Sequence, residues 1–531
     1  MAMEYTEEQL NHFDKETLVQ LFLVQQSQLQ DIDRKLQLLL EQVAVLNRNR
    51  FGRKTEKLET ENQIAFMEVD GNIIFFNEAE AVASMTEYEE KEPVRTKAGK
   101  VKGKRTADIS GLPVIRIDHK MTEEELAGEF GENGWYQMED EVYNRYRFTP
   151  MKIEIEEHHV GVYKSRKDNH FKKADHPAYL LRNSLVSPSL LAGIWNAKYV
   201  NAVPLYRQEQ EFQRMGAAID RADMAHWTIL CAERYLFILY GYLHQKLYGS
   251  HVIHADETPV LVSKENRTSG KQHYMWVYRT GKLSGDHPIV LYEYQPSRNA
   301  GHPRAFLKDF HGICVTDGYQ VYHTIEKERE DLKIAGCWAH ARRRFDEALK
   351  ALPKEKQEKS LAYLALKQIQ AVYREDKKLE SLSADERKKQ RQLTVKPLVD
   401  DYFVWARQNQ NAVAPKSKTA NGLNYSLNQE AYLRVFLEDG EVPLDNNTAE
   451  QAIRPFCVGK KNWVMIDTIA GAESSAMIYS IAETAKANHL KPYNYFQYLL
   501  TEIPKHMDDH SMDFCEALLP WSGQLPEDCR K

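Results

Sequence analysis

Three acidic residues, Asp256, Asp317 and Glu450, stand in contexts suited to cutting a phosphodiester. Asp256 follows the apolar pair Val252-Ile253 in His251-Val-Ile-His-Ala-Asp-Glu-Thr-Pro-Val-Leu-Val262. Asp317 follows Ile313-Cys-Val-Thr316. Glu450 lies in Leu444-Asp-Asn-Asn-Thr-Ala-Glu-Gln-Ala-Ile-Arg454, which reads as a helix start. Carboxylates are hard oxygen ligands suited to Mg2+ or Mn2+. Two such ions about 4 Å apart can hold the attacking and leaving oxygens of an in-line phosphoryl displacement.

The elements that must position these acids follow in a consistent order. Strands are expected at 251–255, ending at Asp256, at Tyr274–Tyr278 and at Ile289–Tyr294. A helix follows at Pro303–Phe310, then a strand ending at Asp317, a helix at Gln320–Glu328, a strand at Lys333–Trp338 and a helix at Ala339–Leu349. Three strands followed by alternating helices and strands predict an α/β layer with helices on the sheet faces. The first and fourth strands can then lie side by side and bring two acids together. Each acid alone also has a plainer reading. Asp317-Gly318 is a common turn pair. Asn447-x-x-Glu450 resembles a capping box, which would leave Glu473 as the substitute third acid. Glu257 should point away from Asp256.

Further groups flank the acids. Arg454, Lys460 and Lys461 could meet phosphates, and Trp463 could stack on an unpaired base. A second basic group comprises His340, Arg342, Arg343 and Arg344; only part of it can face DNA at once. Pro455 should shorten or kink the helix bearing Glu450.

At 531 residues the chain should hold several domains. Its net charge of −6 gives no global nucleic-acid signal, so DNA would be met by local basic patches. No run of about 18 apolar residues predicts a membrane helix, and a cytoplasmic protein is expected. None of the six cysteines forms a C-x-x-C pair, so no disulfide framework and no zinc are expected.

The N-terminal third reads as an assembly and DNA-contact region. Leu18, Phe22, Gln25, Leu29, Ile32, Leu36, Leu39, Val43 and Leu46 form a heptad seam, predicting a coiled coil that makes a homodimer or higher oligomer. Arg53 and Lys54 lie in the basic stretch that follows. Beyond an acidic run, Lys100, Lys102, Lys104 and Arg105 form a Gly-broken basic arm that could track a DNA backbone. Val142–Thr149 and Met151–Glu156 alternate like strands of a small β-rich module. Helices starting at Ser187-Pro188, at Pro204 and at Asp220 give a helix-turn-helix outline that would present Arg207, Arg221, Asp223 and His226.

The chain resembles transposases of the insertion sequence 66 family. The matching motifs are Phe51-Gly-Arg-Lys-Thr-Glu-Lys-Leu58, Lys198-Tyr-Val-Asn-Ala-Val-Pro-Leu-Tyr-Arg-Gln-Glu209, His254-Ala-Asp-Glu-Thr258 and Thr316-Asp-Gly-Tyr319. They continue with Gly336-Cys-Trp-Ala-His-Ala-Arg-Arg343, Asp445-Asn-Asn-Thr-Ala-Glu-Gln-Ala-Ile-Arg-Pro455, Gly459-Lys-Lys-Asn-Trp463 and Glu483-Thr-Ala-Lys-Ala-Asn-His-Leu-Lys-Pro-Tyr493. The resemblance implies a ribonuclease-H-like mixed sheet with helices on both faces, carrying Asp256, Asp317 and Glu450 as ligands of two Mg2+ or Mn2+ ions. It implies cleavage of the element's DNA ends, transfer of the freed 3′ hydroxyl to target DNA, and help from small companion proteins. Family members often carry two C-x-x-C pairs before the helix-turn-helix; no cysteine precedes Cys231 here, so that module should be metal-free.

The expected organisation is a coiled coil at 12–58, a linker at 59–112, the β-rich module at 113–178 and the helix-turn-helix region at 179–248. The core follows at 249–344, interrupted by a helical insertion at 345–430 and resumed at 431–490, before a C-terminal element at 491–531. The competing readings are a nuclease without strand transfer and a non-catalytic DNA-binding or assembly protein.

Overall fold

The runs of β-branched and aromatic residues between 252 and 335 pair into one five-stranded mixed sheet. A computed structural model describes residues 179–531 apart from 264–271, 282, 284 and 286. Before them it describes only 65–69, 72–76, 116, 120–131, 151–164, 171–175. The heptad seam, Arg53, Lys54, Lys100, Lys102, Lys104 and Arg105 lie outside the described residues.

The strands are β1 (Val252–Val260), β2 (His273–Thr280), β3 (Val290–Gln295), β4 (Gly312–Val315) and β5 (Leu332–Ala335). Their spatial order is β3-β2-β1-β4-β5. The first three are antiparallel, whereas β4 runs parallel to β1 and β5 parallel to β4. The first and fourth strands are neighbours, as expected: Val252, Ile253 and His254 face Ile313, Cys314 and Val315. One expectation fails here. β1 does not end at Asp256 but runs on to Val260, with Asp256 in mid-strand opposite Val277. The cause is unequal neighbours: β2 pairs with β1 as far as Val260, while β4 stops pairing at His254. Likewise β5 ends at Ala335, so Trp338 opens a helix rather than closing a strand.

Side-chain alternation divides the sheet between two cores. Ile253 and Cys314 join a cluster with residues of 180–247 and 449–525. Val252, Ile313 and Val315 join a second cluster with residues of the insertion.

On the first side lie α1 (Pro188–Trp195), α2 (Leu205–Arg214), α3 (Arg221–Cys231) and α4 (Phe237–Leu247). Ser187 caps α1 by accepting from Leu190 N at 3.2 Å, with Pro188 at the first position. Asp220 caps α3 by accepting from Asp223 N at 2.7 Å. Two consecutive helices, α2 and α3, stand where the helix-turn-helix outline is expected. Its second helix turns Met224, Trp227 and Cys231 into the core and leaves Arg221, Asp223 and His226 exposed. These helices share the sheet's own core instead of forming a separate module.

After β3 come α5 (Gly301–Phe306), then α6 (Gln320–Lys327) between β4 and β5, and α7 (Trp338–Lys350) after β5. The insertion is helical, as expected, with α8 (Leu361–Lys377), α9 (Ala384–Gln390), α10 (Lys396–Asn409) and α11 (Lys418–Asn428). Buried Arg391 binds it to the chain beyond: it pairs with Asp376 at 2.6 Å and donates to the carbonyls of Phe436 and Val442 at 2.8 Å. Then follow α12 (Asn447–Trp463), α13 (Ile469–Ala487) and α14 (Pro492–Glu502). Of the two outcomes expected at Pro455, shortening does not occur: α12 continues through it. Pro455 leaves the helix one internal hydrogen bond short.

The chain divides into two units, Gly52–Met151 and Met1–Phe51 with Lys152–Lys531. In the former, Ala65–Val69 and Asn72–Phe76 form an antiparallel hairpin inside the stretch expected as linker. The intervening Asp70-Gly71 is a favoured two-residue hairpin pair. Met151–Glu156 is not the expected strand and has no regular structure; in the latter unit a short hairpin forms from Val162–Lys164 and Phe171–Lys173. Among the described residues no helix is long and apolar enough to cross a membrane.

Candidate active site

Asp256 lies on the sheet face of Val252 and His254, because residues two apart share a face. Its Oδ1 accepts from Glu257 N at 2.9 Å. Glu257 occupies the opposite face, as expected. There it is buried against Arg298, whose Nε donates to it at 2.7 Å. The Arg298 guanidinium also stacks 3.7 Å from the ring centre of Tyr319, and Tyr319 Oη donates to the Arg298 carbonyl at 2.7 Å.

Asp317 follows β4 in a turn, so the turn reading holds. Its Oδ1 accepts from Tyr319 N at 2.9 Å, and Gly318 takes φ +92°. The left-handed conformation favours glycine, and a Cβ there would also meet Tyr425 Oη at 3.0 Å. Tyr425, from α11, donates to the Asp317 carbonyl at 2.8 Å. The turn thus fixes an acid rather than merely reversing the chain.

Glu450 stands in the first turn of α12. The capping-box expectation fails, because the N-cap is Asn446 and Glu450 reaches away from the helix start. Arg343 of α7 donates to both Glu450 oxygens, at 2.8 and 3.1 Å, and His340 Nδ1 lies 3.8 Å from Oε1. Asn446 uses its side chain to bind β1 instead. Its Nδ2 donates to the Ala255 carbonyl and its Oδ1 meets His254 Nδ1, each at 2.8 Å. Asp445 accepts from Asn447 N and from Tyr373 Oη of α8, both at 3.1 Å. The helix carrying Glu450 is therefore pinned next to Asp256 by β1 and by the insertion.

Asp317 and Glu450 are near enough for their charges to act on Asp256. The Asp256 carboxyl is held well above its usual range, first by burial, then by the negative charges of Glu257, Asp317 and Glu450. Glu257 is pushed up to about 7 by burial and by Asp317, against the opposing pull of Arg298. Burial lowers His254 to about 4. Burial and then Arg343 lower His340, with Asp317 and Glu450 opposing. Glu473 stands apart, exposed on α13 with Glu233 as its charged neighbour.

Of the other predicted contacts, His340 and Arg343 turn to the acids, whereas Arg344 lies over the Tyr425 ring at 4.6 Å. Arg454 and Lys461 are exposed along α12. Lys460 donates to the Pro259 carbonyl and so is tied to β1. Trp463 is half-buried and packs edge-on against Phe456, with ring centres 5.5 Å apart. Arg207 and Arg221 are exposed on α2 and α3, away from any predicted acid's hydrogen bonds. Asn446, Tyr373, Tyr425 and Arg298 were not anticipated. Asn446 sits inside a quoted motif and was legible as a polar residue before a helix; the two tyrosines carry no local signal.

The donor set suits a hard divalent ion. Asp317 and Glu450 add to the burial that holds Asp256 above its usual range, a cation would relieve that charge, and oxygen donors of this kind match a hard divalent ion.

A model described as the transposase IS66 family matches residues 183–474. One for the IS66 C-terminal element matches 480–521, and one described as transposase C of IS166 homeodomain matches 38–117. Among curated proteins, the chain is similar to three uncharacterized proteins of Sinorhizobium fredii. With y4qI it shares 30% identity over 65% of this chain and 64% of the relative. With y4jD it shares 26% over 68% and 70% respectively, and with y4hP 25% over 65% and 64%. The chain thus spans just under two thirds of the length of the first of these relatives. With the family model covering the sheet, all three acids and the insertion between them, the chain belongs to the IS66 family of transposases.

Proposed function

We propose that this protein cuts the ends of an insertion sequence and joins them to target DNA, using Asp256, Asp317 and Glu450 around two Mg2+ or Mn2+ ions. The observation that supports the reading is that Asp256, on a mid-sheet strand, feels the charges of Asp317, in the turn after the parallel neighbour strand, and of Glu450, in the first turn of α12. The sheet order, with three antiparallel strands followed by two parallel ones, supports a ribonuclease-H-like core. When bound, the ions supply Lewis-acid activation of the attacking oxygen and charge relief at the leaving oxygen.

The chain's own residues do the rest. Asp256 and Asp317 hold two ligand positions on backbone fixed by β2 and by Tyr425. Glu450 supplies the third and must exchange Arg343 for a cation, which frees Arg343 to meet a phosphate oxygen. Exposed Arg454 and Lys461 extend along α12 as a track for a DNA backbone, with Arg207 and Arg221 as further contacts. The homeodomain described for the model over 38–117 supports DNA contact by the N-terminal region, including Arg53, Lys54 and the basic arm. Self-association through the heptads and assistance from companion proteins belong to the same proposal.

The test is strand cleavage of a labelled duplex carrying the element's end, with Mg2+ or Mn2+. Wild type should cut, and Asp256→Ala, Asp317→Ala and Glu450→Ala should bind the duplex without cutting it. Cleavage by Glu450→Ala would remove the third acid from the site. Failure of wild type, even with companion proteins, would favour a binding protein.

A further inference from the structure

We propose that Cys337, His340 and Glu450 form a second metal site, selective for a softer ion such as Zn2+, which shares Glu450 with the three-acid cluster. Cys337 is the N-cap of α7 and His340 stands in its first turn, so the Cys-x-x-His spacing points both side chains to one end of the helix. Glu450 arrives from the first turn of α12. One ligand atom from each of the three lies within 4.8 Å of the other two. An ion at the centre of such a triangle would lie about 2.8 Å from each. Each ligand then closes by less than about 1 Å to reach zinc bonds of roughly 2.0–2.3 Å.

Two further observations point to a ligand. His340 Nδ1 is buried without a hydrogen-bond partner and faces Glu450. A buried ring nitrogen left in this way is costly unless something else meets it. Cys337 Sγ accepts from Asn446 N at 3.1 Å, so a backbone donor already faces the sulfur that would carry negative charge. On coordination the Cys337 S–H bond breaks, the sulfur binds the ion and the proton leaves to solvent. Arg343, half exposed, leaves Glu450 as the ion arrives, and His340 Nε2, now 3.4 Å from Arg343 Nη1, becomes free to carry the ring proton. Three protein ligands leave a fourth position for water. Thiolate and imidazole select Zn2+ or Co2+ over Mg2+, which prefers oxygen alone.

Occupancy of this site does not depend on the transposase reading, but its consequence does: an ion there takes Glu450 from the Mg2+ cluster and inhibits cleavage. The experiment titrates the full chain with Co2+ and follows thiolate-to-cobalt charge-transfer absorption. Wild type should develop the band, and Zn2+ should abolish it by displacement. Cys337→Ser, with Cys337→Ala as a second variant for folding, should lose it, and His340→Ala should weaken binding about tenfold or more. Asp256→Asn, which disables the oxygen cluster, should keep the band. No band in wild type, a band that survives at Cys337, or loss of the band in Asp256→Asn would overturn the site. In the cleavage assay, the Zn2+ concentration that halves the rate should rise at least about tenfold in Cys337→Ser, relative to its own zinc-free rate. Unchanged sensitivity there would overturn the inhibition while leaving the spectroscopic result to decide the site.

Discussion

Asp256 and Glu257 are joined by one peptide bond and look out of opposite faces of β1 into different worlds. Glu257 meets Arg298, and Tyr319 closes over the pair. Asp256 lies within the fields of two more acids, one of which, Glu450, holds Arg343. A buried charge that the fold itself neutralises serves the structure. A charge buried among its like is a standing demand for a cation from outside, and marks where chemistry is done.

The sharpest way to break this contrast is Asp256→Asn. Cleavage should fall by about a thousandfold or more, equivalent to roughly 4 kcal/mol in the barrier. Relief of like-charge repulsion should meanwhile raise the ion-free melting temperature by about 1–3 °C in a calorimetric scan. A loss of stability instead would mean that Asp256 is structural. Next in size is Arg298→Ala, which strands the Glu257 carboxylate and should cost about 2–4 kcal/mol in urea unfolding. Replacing both partners by apolar residues, Glu257→Leu with Arg298→Met, should recover most of that, because an apolar pair needs no desolvation of charge.

Tyr425→Phe sharpens the comparison on the Asp256 side. It removes one hydrogen bond to the Asp317 carbonyl, worth about 1 kcal/mol. The Mn2+ concentration for half-maximal binding, measured by calorimetry, should rise several-fold while packing is unchanged; an unaltered titration would make Tyr425 a bystander. The smallest effect concerns pH. Burial pushes Glu293 up to about 7, as it does Glu257. Both carboxyls bind protons more readily folded than unfolded. Their contribution is full below about 4.5 and is lost as pH rises through about 7. Glu293→Gln should therefore raise the melting temperature by about 1–2 °C at pH 8 and by nothing at pH 5. An equal gain at both values would mean that its titration is unperturbed.

The acids were legible because each sits beside a strong local signal: an apolar run before Asp256 and Asp317, and a helix start at Glu450. The adjacency of β1 and β4 followed from element order alone. What sequence could not show was length set by neighbours. β1 passes Asp256 because β2 continues to pair with it, which depends on the distant residues His273 to Trp276. The capping box misled for a similar reason: Glu450 has a better partner in Arg343, across the fold. Tyr373 and Tyr425 are invisible in the sequence because hydrogen bonds to distant residues, a carboxylate for one and a backbone carbonyl for the other, leave no periodicity. The hairpin at Ala65–Val69 and Asn72–Phe76 has its signal in an Asp-Gly pair, but charged surroundings give the stretch the composition of a linker.

The open edge of β1 carries a last consequence, for synthesis. Beyond His254 that edge is covered by the start and body of α12, through Asn446 on Ala255 and Lys460 on Pro259. A chain that ends before those residues would lack the donors that meet the Ala255 and Pro259 carbonyls. Exposed strand edges of this kind template association between chains. Fragments truncated before residue 446 should consequently cluster rather than persist in solution, since the helix that seals the edge is also the one that carries Glu450.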